Sequence, residues 1–201
     1  MLSGLRAIFS LLDQGGTAML SQLELGPIPE SLLLEPLDYI YADHFRQRAV
    51  CVKLEQLIED PDDPCARHEA AEILAFMEQD LPLHIADEED SLFPLLRLRC
   101  QPEDDIEQVL QILSEEHASD EALAKDLIAE LRRLSTARGR AGGRALKWVA
   151  LAYIQTQRRH LSWENALLLA IARRRLMPAD LVSLGRDMAQ RRGVSYPKPA
   201  S

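Results

Sequence analysis

Four stretches of this chain repeat apolar residues at helical spacing for twenty residues or more, and each is fenced by residues that stop a helix. The first starts at Pro36, which suits a first helical turn, and ends at Glu59, where Asp-Pro-Asp-Asp-Pro follows at 60–64. The second covers about residues 66–97 and is interrupted by Pro82 and Pro94. The third, about residues 102–134, opens on acidic residues that suit a helix N-terminus and ends at the glycine-rich run 135–143; the fourth covers about residues 144–174. Residues 177–193 predict a short fifth helix, with Pro178 in its first turn and Gly193 past its end. Leu, Ala, Glu, Gln and Arg dominate and β-branched runs between turns are missing, so no sheet is expected. Short connections between long helices imply antiparallel neighbours. The expected fold is all-α: an up-down-up-down four-helix bundle over residues 36–175. Residues 1–35 form an N-terminal extension whose apolar stretches 4–13 and 30–35 cap one end, and residues 176–201 a short C-terminal helix and tail.

Each apolar stripe is broken by one histidine. Leu37, Tyr41, His44, Cys51 and Ile58 share a face of the first helix, and Leu81, His84, Glu88, Leu92 and Leu95 a face of the second. His117 interrupts Leu110, Leu113, Ala124 and Ile128 on the third, and His160 with Glu164 interrupts Val149, Tyr153, Leu167 and Ile171 on the fourth. Residues four apart are offset by only about 40° around a helix, so His84 with Glu88, and His160 with Glu164, project together into the core. Counting from each histidine to the ends of its helix, at about 1.5 Å per residue, brings neighbouring histidines to nearly one level, with the looser match between His44 and His84 absorbed by the Pro82 distortion.

A buried carboxylate without a partner costs several kcal/mol. Four imidazoles and two carboxylates in one buried layer are therefore expected to hold two divalent or trivalent metal ions, each taking two histidines and sharing both glutamates, with coordination positions left open. His68, sixteen positions before His84 and so about 160° round the helix, is expected to face solvent and bind nothing. Glu121, one turn after His117, is a candidate additional ligand or a solvated carboxylate. Glu89 and Asp87 read as surface acids or as partners behind the ligands, and Asp43 and Glu116, each just before a ligand histidine, as surface charge. Cys51 reads as core packing, and Tyr41 and Tyr153 either as core filling or as hydrogen-bonding groups near the metals.

The net charge of −9 argues against nucleic acid as a partner, since phosphate binding needs a basic face. Arg132, Arg133, Arg138, Arg140 and Arg144 cluster around the glycine-rich turn and read as helix ends. Three cysteines, Cys51, Cys65 and Cys100, without a C-x-x-C pair suit a reducing cytoplasmic setting, and the N-terminus shows neither a signal peptide nor a membrane span.

The pieces DH at 43–44, HIADEEDSLFPLL at 84–96, EEH at 115–117 and HLSWE at 160–164 resemble the hemerythrin-like (HHE cation-binding) family over about residues 36–175. The resemblance implies a non-haem di-iron centre of two oxo- or hydroxo-bridged iron ions, with His44 and His84 on one, His117 and His160 on the other, and Glu88 and Glu164 bridging. It implies a small ligand, NO, O2 or peroxide, and a place in nitrosative or oxidative stress response or sensing. The chain departs from oxygen-carrying members, which have a histidine where Glu121 stands and an aspartate where Glu164 stands. Iron-centre repair proteins of the family typically carry an N-terminal cysteine-bearing domain, whereas the first cysteine of this sequence is Cys51, inside the expected bundle. A binding and sensing module and a catalyst remain as alternatives. The catalyst would reduce NO or peroxide or donate iron, with a redox or iron-receiving protein as partner. Reversible O2 binding or storage is the third reading.

Overall fold

A computed structural model describes residues 25–136 and 143–198. The apolar stretch 4–13, the N-terminus read for a signal, and Arg138 and Arg140 lie outside the described residues. The described chain is all helix and turn, without strands. Helix α1 is Pro36–Glu59, with Pro36 in its first turn. Helix α2 covers residues 66–99 in five pieces: α-helical Ala66–Ala75, Leu81–Asp87 and Phe93–Arg99, joined by π-helical turns at Phe76–Asp80 and Glu88–Leu92. Helix α3 is Ile106–Thr136. Helix α4 covers residues 144–175, with a third π turn at Glu164–Leu168 between Arg144–Trp163 and Leu169–Arg175. Helix α5 is Pro178–Arg191.

Two of the π turns come just before prolines. Pro82 and Pro94 lack an N–H to donate and crowd the carbonyl four residues back, and a widened turn ahead of each lets the helix continue instead of kinking. The connections are equally local in origin. Between α1 and α2, Asp63 accepts from the Cys65 amide at 2.7 Å. Between α2 and α3, the short turn Pro102–Asp104 is closed by the Gln101 amide donating to Asp104 at 2.9 Å. Asp104 then receives Arg175 at 2.7 Å, and Arg174 as well, so this turn is tied to the end of α4.

Helix α1 packs against α2 and α4, and α3 against the same two, so the four long helices close a ring of neighbours. Helix α5 lies across α1, α2 and the short turn Glu30–Leu34. Its Gly185 is required there: a Cβ would stand 2.3 Å from the Leu33 carbonyl oxygen. Asp87 is buried at the foot of α5, receiving Arg191 at 2.9 Å and Arg192 at 2.6 Å.

The core divides into two apolar clusters with a polar layer between them. One contains Val50, Leu54, Ile73, Phe76, Leu81, Leu127, Leu131, Val149 and Tyr153. The other contains Leu33, Ile40, Leu92, Phe93, Leu113, Leu168 and Met188. On α1, His44 falls between Ile40 and Val50; on α2, His84 and Glu88 fall between Leu81 and Leu92; on α4, His160 and Glu164 fall before Leu168. Each long helix passes from one cluster to the other through this layer. No helix among the described residues is long and apolar enough to cross a membrane.

Candidate metal centre

The polar layer holds His44, His84, Glu88, His160 and Glu164, all nearly inaccessible, with both glutamates at 0 % exposure, and His117 at its edge. Their inner atoms fall into two groups, each within 4.8 Å: His44, His84, Glu88 and Glu164 in one, Glu88, His117, His160 and Glu164 in the other. Both carboxylates belong to both groups. His44 Nε2 stands 3.6 Å from Glu88 and 3.3 Å from Glu164; His84 Nε2 is 3.6 Å from Glu88. His117 Nε2 is 3.5 Å from Glu88, and His160 Nε2 is 2.9 Å from Glu164 and 3.1 Å from His117 Nε2.

These approaches are mostly not hydrogen bonds. His44 Nε2, His84 Nε2 and all four oxygens of Glu88 and Glu164 are buried without a hydrogen-bond partner, so atoms close in distance are aimed at common space and not at one another. Donors about 2.0–2.2 Å from a shared cation stand roughly 3–3.5 Å apart, which is the spacing seen here. The six side chains therefore fit two metal ions, and soft thiolate is absent from the set.

Behind the histidines runs a second ring of contacts, closed around the bundle. Asp43 of α1 reaches His84 Nδ1 on α2 at 3.3 Å. Glu89 of α2 reaches His117 Nδ1 on α3 at 2.7 Å, Glu116 of α3 reaches His160 Nδ1 on α4 at 3.0 Å, and Asn165 of α4 reaches His44 Nδ1 on α1 at 2.9 Å. Each Nδ1–H donates to an oxygen of the neighbouring helix, which in the neutral ring that binds a metal selects the tautomer with its Nε2 lone pair facing inward. The ring partners are themselves held: Arg46 donates to Asp43 at 2.8 Å, Ser114 to Glu89 at 2.9 Å, and Arg159 pairs with Glu116 at 2.9 Å. Phe93 stacks on the His117 ring at 6.2 Å.

The third π turn explains Asn165. Leu169 donates to the Glu164 carbonyl five residues back, and the Asn165 side-chain amide donates to the Leu161 carbonyl at 2.7 Å, beside the Glu164 amide that the same carbonyl accepts. The same side chain presents its oxygen to His44. Both glutamates of the layer begin π turns, at Glu88–Leu92 and Glu164–Leu168.

Electrostatics follow from this packing. Burial disfavours the charged form of His84, but Glu88, Asp43 and Glu164 outweigh it and hold its pKa up to about 10. Burial likewise opposes charge on His160, yet Glu164, Glu88 and Glu116 raise it to about 9. Burial works against the Glu164 carboxylate, and the imidazoles of His160, His44 and His84 override it and hold the group well below the usual range. Asp43 is depressed too: burial pushes it up, and His84 with Arg46 pull it lower.

Glu121 is not among the converging groups: its side chain is 67 % exposed and pairs with Lys125 at 2.7 Å. The turn of α3 after His117 faces outward at that position. His68 also faces solvent, at 78 % exposure. Asp43, read from the sequence as surface charge, is buried against Arg46 and His84, and Glu116 is a ring partner. Glu89 stands behind a ligand-type histidine, whereas Asp87 is neither a surface acid nor a site partner but the anchor of α5. Asn165 went unnoticed in the sequence. The signal was there in four dipeptides, DH at 43–44, EE at 88–89, EH at 116–117 and EN at 164–165, in which each inward group has a polar neighbour reaching sideways.

The family model described as hemerythrin HHE cation binding domain matches residues 35–172, well over half of the chain. No curated protein matches it.

Proposed function

The chain belongs to the hemerythrin HHE cation-binding domain family, and from that membership we propose that it holds two iron ions in an antiparallel up-down-up-down bundle of α1 to α4, residues 36–175, and there binds or reacts with NO, O2 or peroxide. His44 and His84 serve one ion, His117 and His160 the other, and Glu88 and Glu164 serve both. The observation that carries this reading is the set of buried, unpartnered Nε2 and carboxylate oxygen atoms in two groups that share both glutamates. Bound iron supplies open coordination positions and one-electron redox chemistry for a small ligand.

The chain's own residues set the conditions for it. Asp43, Glu89 and Glu116 hold three Nδ1 protons and so orient the Nε2 atoms of His84, His117 and His160 toward the metals. Glu88 and Glu164 bring two negative charges into a layer that the apolar clusters on both sides keep from water. His117, about 10 % exposed, lies on the side of the layer nearest solvent, where a ligand enters. With Glu121 turned outward, six side chains serve two ions, fewer than two filled coordination shells require. Reactivity at those open positions is what a sensing or stress-response role requires, and a catalyst reducing NO or peroxide requires it equally.

Metal analysis tests the reading. Iron-reconstituted protein is expected to hold about two ions per chain, His68→Ala to keep both, and His117→Ala to lose metal. The diferrous protein is expected to change its absorption spectrum on anaerobic addition of NO. A single tightly held ion, or equal loss in the two variants, contradicts the assignment.

A further inference from the structure

A cavity of about 650 Å³ opens beside the polar layer between α2 and α3. A diatomic ligand needs no such space: a water molecule takes about 30 Å³ of liquid, and sites of about 300–1,000 Å³ hold organic ligands of drug size. Three of the four layer histidines, His84, His117 and His160, form its inner end. Its walls are mostly apolar, supplied by Met77, Leu81 and Ile85 of α2, Ala124 and Ile128 of α3, and Tyr153 of α4, with Asp120 and the exposed Glu121–Lys125 pair of α3 also lining it. On α3 the lining continues from His117 to Arg132, about 22 Å at about 1.5 Å per residue, so the space is long in one direction. At the far end Arg132 of α3 pairs with Glu78 of α2.

Two buried side chains in this cavity each have a polar atom without a partner. Gln47 is 3 % exposed and its Nε2 has no hydrogen-bond partner; Gln157 is 6 % exposed and its Oε1 has none, its Nε2 donating to Asp120 at 3.3 Å. They lie one turn from His44 and His160, on the adjacent helices α1 and α4. A buried donor and a buried acceptor left open together cost stability and call for a group that both accepts and donates. A hydroxyl does so: its oxygen accepts from Gln47, and its hydrogen goes to Gln157. The apolar, elongated remainder of the cavity suits an alkyl tail.

We propose that this cavity binds a single-chain amphiphile with a hydroxyl-bearing head held between Gln47 and Gln157 and a tail lying between α2 and α3. This deepens the metal-centre reading by naming the class of organic ligand that reaches it, and rests on that reading for what the head adjoins. The head's two hydrogen bonds are made by residues outside the six inward donors.

Calorimetric titration of the full chain, iron-loaded and metal-free, with 1-octanol, octanoate and octane tests it. Octanol is expected to bind saturably at one site per chain. Octanoate, with no hydrogen for Gln157, and octane, with no head, are expected to bind more weakly. Ala124→Phe, which fills the tail run, and Gln47→Leu, which removes the head's donor, are each expected to weaken octanol binding about tenfold. Thermal unfolding shows whether each variant is folded, and Gln47→Leu should melt no lower than the parent, because its amide nitrogen has no bond to lose. Absence of saturable octanol binding, equal binding of octane, or binding unchanged in a folded variant overturns the proposal. Failure of the parent chain to take up iron overturns the metal-centre reading instead, and octanol binding by that metal-free chain still supports the cavity's ligand.

Discussion

Asn165 is the one neutral member of a ring whose other members, Asp43, Glu89 and Glu116, are acids. Its amide also donates to the Leu161 carbonyl, so its loss removes a contact of the His44 imidazole and one inside α4 together. Outer partners of this kind contribute about 10–100-fold to metal affinity. Asn165→Ala is therefore expected to weaken the ion held by His44 and His84 by that order and leave the other ion tighter, read as two separated steps in chelator competition; uniform weakening of both ions would refute the assignment. The inward groups were legible in the sequence because each interrupts an apolar stripe at helical spacing. The ring was legible only in part, as polar neighbours of inward groups with Glu89 a possible partner behind them, since every one of its bonds crosses to another helix and depends on how neighbouring helices are rotated. Glu121 shows the same limit: one turn from His117 by sequence, it faces solvent and Lys125, and its phase on α3 was set by packing that spacing does not encode.

At the scale of elements, helix ends were legible wherever chemistry forces them. Pro36, the Asp-Pro run at 60–64 and Pro178 each mark a boundary close to the one observed. Pro82 and Pro94 announced irregularity in α2, and the π turns at Phe76–Asp80 and Glu88–Leu92 are how the helix absorbs them. The turn at Glu164–Leu168 has no proline to announce it, and the Asn165 bond to Leu161 that accompanies it is a side-chain geometry no periodicity reveals. Helix α5 depends on a close approach at Gly185, so Gly185→Ala should force the Glu30–Leu34 turn away and lower stability by about 1–3 kcal/mol in denaturant unfolding. The α2–α3 turn carries a pH signature. Arg175 beside Asp104, with the Gln101 amide and Arg174, holds that carboxyl down at about 2. A depressed carboxylate stabilises the fold fully above its unfolded value of about 3.9, and that contribution is lost as pH falls through the folded value. Unfolding midpoints measured between pH 5 and pH 2 should therefore fall less steeply in Asp104→Asn, which has already lost the ion pairs, than in the parent chain.

For the molecule as a whole, the polar layer separates two apolar clusters that would otherwise be one core. Without cations the layer carries four unpartnered carboxylate oxygens and two unpartnered ring nitrogens, and such groups destabilise a fold unless something binds them. Ions that bind the folded chain and not the unfolded one stabilise it by about 4 kcal/mol at a thousandfold excess over Kd. Folding and metal uptake are then one equilibrium, and the loaded protein should melt well above the metal-free one by calorimetry. Removing the charge has the opposite consequence in the two states. Glu88→Met with Glu164→Met replaces both carboxylates by apolar side chains of similar length, so the metal-free variant is expected to melt at or above the metal-free parent and to gain nothing from iron. A metal-free parent as stable as the loaded protein would mean that the layer satisfies itself, and that its six groups are structural and not a site held ready for ions.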